Sequence, residues 1–171
     1  MAGVCGSASL LGRAVAIMSE SISSADLQER ACKMLWSRYL SWKQEEIRGR
    51  IGSAGGIEAI LRAMTQHPSA AGVQEWGCVA LSNLAVNADN KVKIGSAGGI
   101  EAIVRAMTQH PSAAGVQEHG CVALWNLAAN NAHNKSKINA AGGAQAIRAA
   151  MAAHTSSSNV QSWGKGALGC L

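Results

Sequence analysis

The side chains able to do chemistry in this chain recur at regular intervals and do not gather into one site. His67, His110 and His154 follow one another at 43 and 44 residues, which is not a spacing that brings metal ligands together. Each stands where a helix is predicted to end, and the helix dipole favours a histidine there. We therefore expect these histidines to cap helices, and we expect no metal site.

Patterns typical of catalysis are missing from the sequence. The glycine-rich stretches at 52–56 and 95–99 lack the GxxxxGK[ST] pattern, follow no strand, and are read as helix corners. No GxSxG elbow is present. The repeated carboxylates stand near predicted helix starts and form no converging pair: Glu58, Glu75, Glu101 and Glu118. The sequence predicts neither an enzyme nor a bound cofactor.

The cysteines do not form a metal or disulfide pattern. They number five, which is odd, and no CxxC occurs. Cys78 and Cys121 take equivalent positions in a repeat and are interpreted as reduced, buried side chains.

The N-terminus has no basic region ahead of its apolar part, so it does not fit a secretory signal. We expect a cytoplasmic protein, with the nucleus as the alternative.

The charge balance permits several partners and selects none. The formal net charge is +5, with a modest basic cluster at Lys43, Arg48 and Arg50. The amphipathic, basic segment 26–50 could contact a membrane surface or nucleic acid, but its match to a repeat helix favours packing. No stretch approaches the roughly 20 apolar residues that a membrane span needs.

An internal repeat is the strongest signal in the sequence. Residues 51–88 and 94–131 are identical at 33 of 38 aligned positions, at a period of 43. A further copy begins at Ile138, and a degenerate copy precedes Ile51. The predicted units are a degenerate capping repeat at 1–50, repeats at 51–93 and 94–137, and an apparently truncated repeat at 138–171. A period near 43 is typical of units with two or three helices.

Apolar spacing divides each unit into three helices. Ile100, Ile103 and Met107 form one helical stripe, which His110 and Pro111 end. A second stripe starts at 116 and ends before a polar break at 130–134. Residues 135–140 are predicted to form a short helix, which the glycines at 142–143 close with a sharp turn.

The units resemble the armadillo repeat. The resemblance is carried by I-x-x-A-G-G-I-E-A-I and then V-Q-E-x-x-x-x-A-L-x-N-L-A, closely over 51–171 and loosely over 11–50. It implies an all-α, right-handed α-solenoid, an alpha-alpha superhelix, whose third helices line a concave groove for extended peptides. It also implies that Asn83 and Asn126 bond the peptide backbone. Nuclear-import adaptors of this family carry Trp four residues earlier. Here Val79 and Val122 stand there, so recognition of nuclear localisation signals is not expected.

Differences between the two near-identical repeats indicate where a partner would bind. Three of the five differences fall on one face of the third helix, opposite its predicted core stripe. Two interpretations stay open: side chains tuned for a partner, or drift at exposed positions. Exposed tryptophans fit the first better. The predicted peptide-binding residues are Trp76, Val79, Asn83, Val86, His119, Val122, Trp125, Asn126 and Trp163.

Three functions are compatible with these features. The favoured one is a non-catalytic scaffold that binds an extended segment of a protein along the third helices. The alternative is a structural spacer, or a fragment of a longer solenoid without its own ligand. The last unit stops within its third helix, so we expect an uncapped end that could pair with another copy. Nucleic-acid binding, the least favoured, predicts strongly salt-dependent association.

Overall fold

The computed structural model describes residues 24–39 and 45–171, and within these ranges the chain is all-α. This confirms the predicted structural class. The predicted degenerate repeat lies partly outside the described residues, at 1–23 and 40–44. The helices are α1 Ala25–Tyr39, α2 Glu45–Ser53, α3 Gly56–Gln66, α4 Ala71–Leu84, α5 Ala88–Ser96, α6 Gly99–Gln109, α7 Ala114–Ala128, α8 Ala132–Ala140, α9 Gly143–Ala153 and α10 Ser158–Cys170.

Three consecutive units of three helices follow α1. We call them repeat 1 (α2–α4), repeat 2 (α5–α7) and repeat 3 (α8–α10). The first helix of each unit starts six residues before the position at which the repeat was predicted to begin. The predicted first residues, Ile51, Ile94 and Ile138, therefore lie in the last turn of that helix. The capping residues explain this difference, because the side chains of Asn87 and Asn131 accept hydrogen bonds that start α5 and α8.

The glycine corner predicted between the first and second helices is confirmed. Gly55, Gly98 and Gly142 have φ of 82°, 84° and 79°, in the left-handed region that side chains with a Cβ disfavour. The glycine that follows each is also constrained, because a Cβ on Gly99 would lie 2.9 Å from the Ile94 carbonyl oxygen. The step from Ile94 to Ile138 is 44 residues, one more than the preceding period of 43. In the loop that holds the extra residue, Asn130 also has a left-handed backbone, with φ 55°.

A glutamine, buried in repeats 1 and 2 and half-buried in repeat 3, connects the second helix to the third. In repeat 2, Gln117 is 1% exposed, and its Nε2 donates to the carbonyls of Met107 at 2.9 Å and His110 at 2.8 Å. Gln74 and Gln161 make the equivalent bonds. These bonds satisfy carbonyls at the C-terminal end of the second helix and set the turn into the third.

Close packing inside each unit requires glycine in the third helix. A Cβ on Gly120 would lie 2.6 Å from Met107, and Gly77 and Gly164 meet Met64 and Met151 in the same way. The predicted core stripe of α4 is confirmed, since all its members are buried: Val73, Gly77, Ala80, Leu81 and Leu84.

Equivalent helices of successive units pack side by side. The third helices form the most extensive contacts, in the order α1, α4, α7, α10; second helices pack in the order α3, α6, α9 and first helices in the order α2, α5, α8. Each third helix in the middle of the row therefore has neighbours on both sides as well as beneath it.

Buried asparagines join the first helices of neighbouring units. Asn90 donates from Nδ2 to the Arg48 carbonyl at 2.8 Å, and the 1%-exposed Asn134 donates to the carbonyls of Lys91 at 3.2 Å and Leu127 at 3.1 Å. Each side chain fits over a glycine of the preceding unit, because a Cβ on Gly95 would lie 2.1 Å from Asn134 Oδ1.

The repeated histidines also cross between units. Nε2 of His110 lies 2.6 Å from the Pro68 carbonyl oxygen, and Nε2 of His154 lies 2.8 Å from that of Pro111. The prediction that each stands at a helix end is confirmed, since both are C-cap residues. Their bonds to the preceding unit were not predicted.

Among the described helices, none is both long and apolar enough to cross a membrane.

Candidate functional site

All the predicted peptide-binding residues except Val86 lie on the third helices α4, α7 and α10, and we call this surface the third-helix face. Most of its side chains are half-buried, and Val86, in the turn that follows α4, is the most exposed at 56%. The helices present this surface as one row because α4 packs against α7 and α7 against α10. The half-buried members of this set therefore lie on adjacent helices of one row.

Val79 is placed differently from the prediction. It is 3% exposed, and Ser82 on the same predicted face is 5% exposed. The helical positions alone predict an open face opposite the core, but α1 and α7 flank α4 on both sides. Val79 therefore belongs to the interior and offers no contact to a partner, whereas its equivalent Val122 is half-buried.

The amides of Asn83 and Asn126 already donate within the protein. Nδ2 of Asn83 lies 3.0 Å from the Val79 carbonyl oxygen in its own helix. Nδ2 of Asn126 donates across the junction to the Ser82 carbonyl at 3.1 Å. Within residues 24–39 and 45–171, neither Oδ1 has a hydrogen-bond partner. The two asparagines therefore present accepting oxygens, which match a donor such as a backbone N–H.

Trp76 interacts with a cation from the preceding helix. The ammonium of Lys33 on α1 lies 5.2 Å from the centroid of the Trp76 ring, within the range of a cation–π interaction. Part of this ring is therefore covered by the protein itself.

The junction between α7 and α10 is aromatic. The rings of Trp125 and Trp163 have centroids 5.5 Å apart and planes tilted by 43°, and both side chains are half-buried. The Trp125 ring also lies over Gly166, where a Cβ would be 3.6 Å from ring atoms. Its Nε1 donates to Cys170 Sγ at 3.0 Å. Trp125 thus lies along α10 from Trp163 to Cys170.

Gly166 and Cys170 were missed from the sequence. They take the positions of Val79 and Val122, and of Asn83 and Asn126, in the other two repeats. The signal available in the sequence was the replacement of a repeated valine and a repeated asparagine at equivalent positions of repeat 3.

The junction between α4 and α7 lacks the aromatic pair found between α7 and α10. His119 takes in repeat 2 the position that Trp76 and Trp163 take in repeats 1 and 3, so it is directed toward the preceding third helix. Ser82, which takes the position equivalent to Trp125, is buried, and its hydroxyl donates to the Val79 carbonyl at 3.0 Å. In the part of the chain that the structure describes, the His119 imidazole has no hydrogen-bond partner.

Away from this face, an apolar cleft of about 410 Å³ lies between α6 and α9. Val104 and Ala149 line it, where the corresponding side chains between repeats 1 and 2 are the longer Leu61 and Arg105. Two of its polar members, Gln117 and Thr108, donate to backbone carbonyls.

The cysteines of repeats 1 and 2 are buried thiols. Burial raises the pKa of Cys78 from 9.0 to about 12, with smaller contributions from Glu75 and Cys121, and burial raises the pKa of Cys121 to about 12. Such thiols are poor nucleophiles and poor metal ligands at neutral pH. No group of three or more His, Cys, Asp or Glu side chains able to hold a metal ion occurs among the described residues.

Comparison with known proteins gives one short similarity. Protein aardvark of Dictyostelium discoideum is 35% identical over 79 residues, which is 46% of this chain. The chain spans about a tenth of that protein's length, since the aligned part is 10% of it. No family model and no solved structure matches the chain. The similarity therefore concerns a short part of a much longer protein.

Proposed function

We propose that this chain is a non-catalytic scaffold of the armadillo type, which binds an extended segment of another protein along the third-helix face. The proposal includes a right-handed α-solenoid of three units preceded by a degenerate one. The observation that carries it is the row formed by α4, α7 and α10, with Asn83, Asn126, His119, Trp125 and Trp163 along one surface.

Hydrogen-bonding groups on this surface support binding of an extended chain. The accepting oxygens of Asn83 and Asn126 lie at equivalent positions on the adjacent helices α4 and α7 and have no partner in the described parts of the chain. An extended peptide presents donors at regular intervals along its length. The bond from Asn126 to the Ser82 carbonyl also fixes the spacing of α4 and α7 before a partner arrives.

Side-chain chemistry supports a binding role over a catalytic one. Half-buried tryptophans are typical anchors of protein interfaces. The buried thiols, with pKa raised to about 12, are not suited to nucleophilic work. We accordingly propose a protein or peptide as the partner, with no cofactor.

The test replaces the two asparagines together. Asn83→Ala/Asn126→Ala is expected to reduce binding of peptides selected from a displayed random library about tenfold or more, while circular dichroism shows the helices retained. The matched control is Thr65→Ala/Thr108→Ala, at equivalent positions on α3 and α6, which should bind normally. Equal binding by all three proteins would contradict a ligand on this face and favour the structural-spacer alternative.

A further inference from the structure

The two junctions of the third-helix face differ in chemistry at equivalent positions. Between α7 and α10 the side chains of Trp125 and Trp163 meet, and the residues at the equivalent positions of α4 and α7 are Ser82 and His119. Gly166 and Cys170 accompany the aromatic pair, as described above. From this contrast we infer that the partner segment places a proline on the α7–α10 junction and a hydrogen-bonding side chain on the α4–α7 junction. The inference rests on the proposed function and specifies its ligand.

The aromatic junction offers a tilted apolar surface and one unpaired donor. The Trp125 and Trp163 rings, 5.5 Å apart and inclined at 43°, are both half-buried, so part of each indole is open. The Trp125 Nε1 is used by Cys170. The Trp163 Nε1 has no acceptor among residues 24–39 and 45–171.

This combination favours a proline segment over other apolar ligands. A polyproline II segment makes no internal hydrogen bonds, so its carbonyl oxygens are free to accept from an indole N–H, and its rings pack on aromatic side chains. Its conformation is already extended, which lowers the entropy cost of binding. An aliphatic side chain would use the ring surface but leave the Trp163 donor unsatisfied.

The polar junction selects differently because an imidazole, His119, takes the place of the Trp163 indole. Ser82 is 5% exposed, and its hydroxyl already donates to Val79. His119 is half-buried and has no partner in the described residues, so it can bond a polar side chain of the ligand.

Helix spacing sets the interval between the two ligand residues. Packed helices lie roughly 8–10 Å apart. A polyproline II chain advances about 3.1 Å per residue. The polar residue and the proline are therefore expected about three positions apart in the partner segment.

The test selects 12-residue peptides from a displayed random library on the whole chain and measures the best one, fluorescein-labelled, by anisotropy. We expect proline to be enriched about three positions from a polar residue. Replacing that proline with alanine should weaken binding about tenfold. Trp163→Ala should weaken it about 30-fold, a loss typical of an interface anchor. Trp163→Phe, which keeps a ring and removes the donor, should weaken it about three- to tenfold.

A second variant guards against loss of folding and separates the two claims. Trp125→Ser/Trp163→His/Gly166→Val/Cys170→Asn gives α7 and α10 the side chains of the polar junction, and should bind peptide without preferring proline. Peptides that lack proline, and that weaken with Asn83→Ala/Asn126→Ala but not with Trp163→Ala, would overturn this inference and leave the proposed function standing. Failure to enrich any peptide over the double-asparagine variant would overturn both.

Discussion

The indole nitrogen of Trp125 donates to Cys170 Sγ at 3.0 Å, across the junction of α7 and α10. Cys170 occupies the position where the two preceding units have Asn83 and Asn126, and Trp125 occupies that of Ser82. Gly166 replaces the valine of the preceding units, so three residues that differ from the other repeats, Trp125, Gly166 and Cys170, contact one another. The larger ring of Trp125 is accommodated because its neighbours on α10 are smaller.

Gly166→Val should destabilise the protein through this contact. A Cβ at Gly166 already lies 3.6 Å from the Trp125 ring, so alanine fits, but the γ-methyl groups of valine would push the ring away. We expect Gly166→Val to lower the free energy of unfolding by about 1–3 kcal/mol in urea melts. Trp125→Ser should recover much of that loss in the double variant. Additive effects of the two substitutions would show that the contact is not coupled.

The contact between Asn134 and Gly95 should hold repeats 2 and 3 together. Asn134→Ala removes the donor of two buried carbonyls, at Lys91 and Leu127, and should cost about 1–3 kcal/mol. Gly95→Ala should cost a similar amount, because its Cβ would displace the same side chain.

A glycine at an open position provides the matched control for that experiment. A Cβ on Gly169 of α10 would meet nothing within 4 Å, so Gly169→Ala should leave stability unchanged or raise it by up to about 1 kcal/mol. Urea melts of the three variants compare these effects. A Gly95→Ala protein as stable as Gly169→Ala would contradict the packing described for Asn134.

Features that depend on one unit could be predicted from the sequence. The glycine corner at Gly98, the end of the second helix before His110, and the core stripe of α4 all follow from local backbone preference and helical periodicity. Each unit carries these signals independently, and their recurrence strengthened the prediction.

Features that depend on the contact between units could not be predicted from the sequence. The burial of Val79 follows from flanking helices that a single helical wheel does not represent. The bonds of Asn134 and His154 reach 43 residues back along the chain, a distance at which no side-chain pattern specifies a partner. Gly52 and Gly95 were the available signal, since they occupy equivalent positions and each contacts a repeated asparagine of the following unit.

His154→Ala should loosen repeat 3 specifically. The side chain loses its bond to the Pro111 carbonyl, and because this contact is exposed we expect a loss of about 0.5–1.5 kcal/mol. Hydrogen exchange should become faster in α9 and α10 while α3 and α4 remain protected. His133→Ala, at an exposed position on α8, should change neither. Uniformly faster exchange throughout the chain would argue against a local connection between units.

Stability should fall at alkaline pH because of the two buried thiols. The pKa values of Cys78 and Cys121 are about 12 in the folded protein, against an ordinary value of 9.0. Below pH 9 both thiols are protonated in either state, so their contribution is constant. Between pH 9 and 12 the unfolded chain releases these protons while the folded chain retains them, so unfolding becomes more favourable.

The expected slope approaches about 1.4 kcal/mol per pH unit for each thiol. Urea melts from pH 8 to 11 measure it, and Cys78→Ala/Cys121→Ala supplies the control because lysine and tyrosine titrate in both proteins. The double variant should start less stable, since each substitution removes a buried sulfur. Its stability should nevertheless decline less steeply above pH 9. Parallel curves for the two proteins would mean that these thiols ionise in the folded state as readily as in the unfolded one.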